Sequence, residues 1–500
     1  MTVPRRKQIE FDYLFEMEWP RHATRYSWIN NYLQLSISLL SFMVILIPVT
    51  IDTIVWISVI VVAAGNMLVG GIYEAQLDYR ILKYIKEMAH GTNEDKLRIK
   101  RELLVTVASG NLMLDRGSPQ KNITSSIMIP NPHAPKDRHE KARSRLLNLL
   151  GTQSGFGEQV GAPVLFYLGA FVYTILDILN SPSSEDSALA LSFGLQWMII
   201  VHVAIVSGCL LASNNPNTSA GIVGSGHRAL QQGPQNLQRR ATLAGHTLAP
   251  EWTWKRFNHL IFGWSNIHET EYQPVSLWAR GSNKMEWIKQ TEAWREDPAF
   301  RQAIRITWLE WQFKILMPAL ALSVLPPASG GIVAYLTPPQ GVGCRNLVLL
   351  IYAVSQAIIT AIASMRGSVE HNEWSPFLHK LFTGWCSKVL SVLFWFGALI
   401  SAIGGTTLQV IGVFRNCFCK TTFYYWWHDI NKTNPSLDLA SDTEDARISS
   451  RYWIIMGTTA TLFIGFTCCK SIRLFDAFVL LLLLRVASSH VLMKKYHPEL

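Results

Sequence analysis

The chain has 500 residues, 49% hydrophobic and 16% charged, whereas about 25% charged is usual in a soluble protein. Its apolar residues gather into runs of about 18 to 26 with almost no ionised side chain, which excludes a soluble globular protein. Seven cysteines are too few for a disulfide-dense mini-fold, 32 Gly and 22 Pro exclude a collagen-like chain, and 45 Lys+Arg against 35 Asp+Glu leave a net charge of +10.

In chain order the pattern predicts an all-α, polytopic helical membrane protein with about eight transmembrane helices, at residues 32–49, 53–73, 160–180, 188–211, 313–336, 346–365, 389–413 and 452–469. A helix rises about 1.5 Å per residue, so about 20 apolar residues cross a hydrocarbon core of about 30 Å. A ninth run, Leu474 to Val486, is shorter and carries Asp476 and Arg485. It is expected to lie in the interface, within an amphipathic C-terminal segment 470–500.

Between these spans lie a 1–31 segment, loops at 74–159 and 212–312, and short links in the four-span region 313–469. With the N-terminus cytosolic, 38 of the Lys and Arg residues fall on the cytosolic side and 6 on the other, with Lys314 at a span end. That bias predicts both termini in the cytosol. The acids and aromatics of the first 31 residues do not match a cleavable signal peptide, so the first span is expected to act as an uncleaved anchor. Endoplasmic reticulum or a later secretory membrane is the expected location. The excess charge then reads as topology, with the bilayer as partner and no nucleic acid.

Acids at span ends are the candidates for chemistry. Glu74 and Asp78 follow the second span on one helix face, Asp177 lies within the third, Glu310 precedes the fifth, and Glu370 and Glu373 follow the sixth. Desolvation near a membrane raises a carboxyl pKa, so each is a potential neutral proton donor. Ion pairing is the alternative for each, Glu310 with Lys314 at i, i+4 or Asp78 with a nearby base.

Eight tryptophans fall between residues 252 and 311, among them Trp308 and Trp311. They suit a loop lying along the headgroups, and some are candidates for a cation-stabilising pocket. The VLPPASGG stretch, Val324 to Gly331, predicts either a broken helix lining a cavity or a proline kink absorbed by its neighbours. Small residues four apart, Gly397, Ser401 and Gly405, then Gly457, Thr461 and Gly465, predict close backbone packing. Asn66, Gln196, His202 and Gln356 should face the bundle interior.

Cys344, Cys417 and Cys419 all fall on the expected lumenal side, where a bridge from Cys344 to one of the pair would tie two loops together. Asn431-Lys-Thr in the same region is a candidate glycan acceptor, whereas Asn122-Ile-Thr and Asn217-Thr-Ser would be cytosolic. No Walker A loop, GxGxxG after a strand, HExxH, GxSxG or histidine cluster is present, and no aspartate-rich pair for a magnesium diphosphate. Neither a metal nor another cofactor is expected.

GVGCRN before the sixth span, GVFRNCFCK after the seventh, Tyr452-Trp453 and GTTATLFIG in the eighth together resemble a group of large polytopic membrane proteins of filamentous fungi. The resemblance covers spans five to eight best. That group includes the integral-membrane terpene cyclases of meroterpenoid pathways of the macrophorin and ascochlorin type. The resemblance implies acid-initiated cyclisation of a lipophilic prenylated substrate, and its motifs carry over no residue; by position alone, Glu74, Glu310 or Glu370 is the expected acid, Asp177 the outsider, with Trp308 and Trp311 near the pocket. A non-enzymatic transporter or scaffold, with the same acids in ion pairs, is the competing expectation.

Overall fold

The structure, a computed structural model, describes residues 8–10, 55, 57–88, 94–110, 160–180, 184–210, 275–338, 340–372, 384–415, 419, 436–438 and 446–467. Among the described residues five helices are long and apolar enough to cross a membrane: α1 (Ile57–Glu87), α4 (Glu185–Gly208), α8 (Trp308–Leu336), α9 (Cys344–Val369, continuing to Asn372) and α10 (Trp385–Ile411). They correspond to expected spans two, four, five, six and seven. The third expected span is the shorter apolar α3 (Ala162–Asn180), and the eighth lies within α11 (446–467). The runs at 32–49 and 474–486 lie outside the described residues. These helices support a multi-pass membrane protein.

Four shorter helices complete the described fold: α2 (Glu94–Ser109), α5 (Arg280–Gln290), α6 (Glu292–Glu296) and α7 (Pro298–Ile304). Their starts are written in the sequence. Thr291 accepts from the Trp294 N–H to cap α6, and Asp297 accepts from the Ala299 N–H at α7, whose first residue is Pro298. Ser184 caps α4 just before the acids Glu185 and Asp186. Gly412, at φ 84°, ends α10 in the left-handed conformation that glycine adopts without steric cost.

Long-range contacts fix the direction of each helix. Tyr352 and Gln356 of α9 donate to the Val61 carbonyl of α1, and Tyr73 meets His371, so α1 and α9 run the same way. Thr360 bonds Ser323 of α8 while Asn346 bonds the Gly331 carbonyl, so α8 runs opposite to α9. Tyr167 and Asp177 of α3 bond Gly194 and Ser187 of α4, and His202 of α4 bonds Leu322 of α8 while Ser192 lies against Gly330, two further antiparallel pairs.

This alternation gathers the described ends onto two faces. The ends near residues 84, 208, 277–311 and 371 share one, and those near 184, 340, 414 and 449 share the other. The same grouping follows from the Lys and Arg count.

One contact departs from it. Gln8–Glu10 pairs antiparallel with Ser436–Asp438, which puts the N-terminal stretch on the face of the 414–451 segment, whereas the charge count puts them on opposite faces.

The diproline does not break α8, which runs through Pro326 and Pro327 from Met317 to Leu336. Proline has no N–H, so Pro326 leaves the Leu322 carbonyl without its helical donor. Buried His202 supplies one from α4, with Nδ1 3.1 Å from the Leu322 oxygen. A carbonyl only accepts, so Nδ1 carries the proton. A neighbouring side chain therefore completes a helix that the sequence interrupts.

The two small-residue stripes have separate partners. On α10, Ser401 donates to the Val348 carbonyl, and a Cβ on Gly405 would lie 2.3 Å from Val348 Cγ1. On α11, Gly457 faces Ile175 of α3 and Leu191 of α4.

Candidate functional site

At 31 residues α1 is about 46 Å long, longer than a hydrocarbon core of about 30 Å. Its final turns carry Tyr73, Glu74, Leu77, Asp78, Ile81 and Tyr84 at i, i+3 and i+4 spacing, all buried. The stripe is buried by a layer formed from α2, α5, α6, α7 and the start of α8.

Two pairs of opposite charge meet at its centre. Arg280 Nε lies 2.6 Å from Glu74 Oε2 and Nη2 3.3 Å from Oε1, a two-point grip. Lys284 Nζ lies 3.1 Å from Asp78 Oδ1 and 3.5 Å from Glu74 Oε1. It also donates to the Thr106 and Val107 carbonyls of α2, at 3.2 and 2.8 Å. No side chain of the four is more than 5% exposed. Two acids face two bases, and such pairing is the condition under which buried ionisable groups are tolerated.

Two glycines permit this approach. A Cβ on Gly110 would meet Lys284 Cε at 2.5 Å, and one on Gly70 would meet the Leu277 carbonyl oxygen at 2.4 Å.

A second set of contacts surrounds the first. Arg80 donates to the Ala303 and Arg305 carbonyls at the end of α7, at 3.0 and 2.6 Å, and to Glu310 Oε2 at 2.8 Å. Those carbonyls lack helical donors, so a cation there satisfies both their hydrogen bonding and the helix dipole. Glu310 closes a capping box with Thr307 and accepts from Lys314 Nζ at 2.7 Å. These bonds give both oxygens of its carboxyl group a donor. Tyr84 bonds Asp297, Arg98 pairs with Glu292, and Glu102 accepts from the Glu292 N–H at the start of α6.

An aromatic cluster closes the layer against α9. Tyr73 and Trp311 rings lie 4.8 Å apart, and each faces His371, at 5.8 and 5.9 Å. Trp311 is fully buried and donates from Nε1 to Ser364 Oγ at 2.9 Å. The Ile306 N–H donates to His371 Nε2 at 2.9 Å, so in the neutral ring Nδ1 carries the proton and faces Tyr73 Oη, also at 2.9 Å. Burial, with Arg80, Lys289 and Arg305 nearby, pushes this imidazole down to about 4.

The structure separates the residues singled out in the sequence. Glu74 and Glu310 lie in this layer, 74 in a buried quartet and 310 nearer its edge. Trp311 is part of its core, whereas Trp308 is 49% exposed. Glu370 lies on α9, and its side chain is outside the described residues. Asp177 is elsewhere, on the opposite face, where Ser187 donates to it. Among the described residues it has no ion-pair partner. A cleft of about 110 Å³, lined by Tyr167, Phe171, Thr174, Leu191 and Gly194 among others, begins one turn before it on α3.

Cys344 and Cys419 pack in one cluster with Phe193 and Phe414. Cys417 and Asn431 lie outside the described residues. No group of three His, Cys, Asp or Glu residues in a metal-binding arrangement occurs among the described residues.

Arg280, Lys284, Arg80 and His371 were not singled out from the sequence. A signal was present for the first two: Arg280 and Lys284 are four apart, as are Glu74 and Asp78. Two i, i+4 pairs of opposite sign on separate helices are complementary stripes.

Comparison with protein-family models, with curated proteins and with solved structures finds no match.

Proposed function

We propose that this chain is a non-enzymatic membrane scaffold, in which span-end acids fasten a helical layer to the bundle. The observation that carries the reading is the buried quartet of Glu74, Asp78, Arg280 and Lys284. A general acid must be neutral and face its substrate, whereas Glu74 is gripped by two cations and Glu310 accepts from Arg80, Lys314 and Thr307. The continuity of α8 through its diproline favours a scaffold over a carrier built on a broken helix.

A second reading, acid-initiated cyclisation of a prenylated substrate, is supported by the resemblance in spans five to eight and by Asp177. That carboxyl is outside any described ion pair and stands beside an aromatic cleft.

One experiment separates the two. The membrane-reconstituted chain is incubated with prenylated phenols and their epoxides, and the products are analysed by mass spectrometry. The scaffold reading expects the compounds to be recovered unchanged. A cyclised product of unchanged mass that Asp177→Asn abolishes and Glu310→Gln leaves intact would overturn it and support the cyclase.

A further inference from the structure

The turn between α8 and α9 is tightly held. Arg345 donates to the Thr337 and Pro338 carbonyls at 2.8 and 3.1 Å, Asn346 donates to Gly331, and Gln340 bonds Ser449 at the start of α11 at 3.1 Å. The end of α10 is docked on the same face, where Phe414 stacks on Phe193 of α4 with ring centres 5.8 Å apart. Buried Cys419 belongs to the same apolar cluster, and Cys344 packs against it. The two thiols lie in hydrogen-bonding contact, and burial followed by that contact pushes Cys419 up to about 12. Both are free thiols in this structure.

We infer that Cys344 and Cys419 form a disulfide that clips the α8–α9 turn to the segment after α10 and marks this face as the oxidising side of the membrane. Two independent observations converge. The fold brings residues 75 positions apart in sequence into thiol contact. Separately, this face carries 11 Lys and Arg residues even with the five of the N-terminal segment that the Gln8–Glu10 pairing brings to it, against 33 on the other, and basic residues concentrate on the cytosolic side. Disulfides persist on the side away from the cytosol.

The chemistry is a two-electron exchange with a disulfide donor, either a protein or a small-molecule disulfide. The Cys344 thiolate attacks a donor sulfur and expels one donor thiolate, leaving a mixed disulfide. The Cys419 sulfur, giving up its proton to solvent, then attacks Cys344 and expels the second thiolate. The chain pair is oxidised and the donor reduced to two thiols. The consequence is an absolute orientation: the ionic layer at the other end of the bundle faces the cytosol.

The test uses the wild-type chain in its native membranes. Free thiols are blocked with N-ethylmaleimide, the protein is digested without reduction, and linked peptides are sequenced by mass spectrometry. The expected result is a linkage of Cys344 to Cys419, with Cys417 blocked. Cys344 and Cys419 both found blocked, or Cys344 linked to Cys417 or to a second chain, would overturn the inference. As an independent readout, a chain keeping only Cys344 and Cys419 is treated with maleimide-polyethylene glycol. It should gain two labels after reduction and none before, and two labels before reduction would contradict the proposal.

Discussion

Lys284 of α5 and Asp78 of α1 are separated by 206 residues of sequence and by 3.1 Å in space, with both side chains within 1% of full burial. The ammonium also donates to two carbonyls of α2, so one side chain joins three helices. Removing it would leave two carboxylates near one guanidinium. Lys284→Met is expected to lower stability by about 3–5 kcal/mol, the usual cost of stranding a buried charge. Lys284→Met with Asp78→Leu should recover most of the loss. Denaturant unfolding in mild detergent measures both, and equal stability of Lys284→Met and the wild type would contradict the ion-pair account.

Arg280 is distinguished by its two-point contact with Glu74. Lysine keeps the charge and loses the planar fork, so Arg280→Lys is expected to cost about 1–2 kcal/mol. Arg280→Met should cost more, because Glu74 then retains only the 3.5 Å contact with Lys284. The same unfolding measurement ranks the two, and a smaller loss for the methionine variant would show that charge is unimportant there.

His371 gives the layer a pH dependence with a defined sign. Its folded pKa is lowered to about 4, below the ordinary value of 6.5, so the unfolded chain binds the proton more readily. The stability it supports is complete above about pH 6.5 and is lost as pH falls toward 4, by at most about 3 kcal/mol. Geometry gives the same sign, since a protonated Nε2 would point a hydrogen at the Ile306 N–H. Stability measured from pH 8 to 4 should decline in the wild type and decline less in His371→Gln. Identical profiles would remove His371 as the source.

The His202 contact with the Leu322 carbonyl predicts coupling to Pro326. His202→Leu strands a buried carbonyl and should cost about 1–3 kcal/mol. In a Pro326→Ala background the backbone N–H returns, and the same change should cost markedly less. A double-mutant cycle with no coupling would show that His202 does not complete this helix.

The apolar runs made the long helices readable, because a crossing demands length and little charge whatever the partners are. The alternation of the described helix ends was readable through the placement of Lys and Arg, whereas the side taken by Gln8–Glu10 was not. The partners of Glu74 and Asp78 were harder to see. The i, i+4 spacing gave each helix a charged face, yet about 200 residues separate the two faces and no local rule selects which faces meet. Glu310 illustrates the limit from the other side: its pair with Lys314 was visible at i, i+4, whereas Arg80, from 230 residues earlier, was not. At the diproline, sequence alone left a broken helix and an absorbed kink equally open. The deciding residue, His202, is on another helix.

The most direct test of the central claim is amide hydrogen exchange on the reconstituted protein, wild type against Lys284→Met. If the quartet fastens the layer, the variant loses protection in α2 and in α5 to α7 while α8 to α10 remain protected. Unchanged protection throughout the layer would contradict the account.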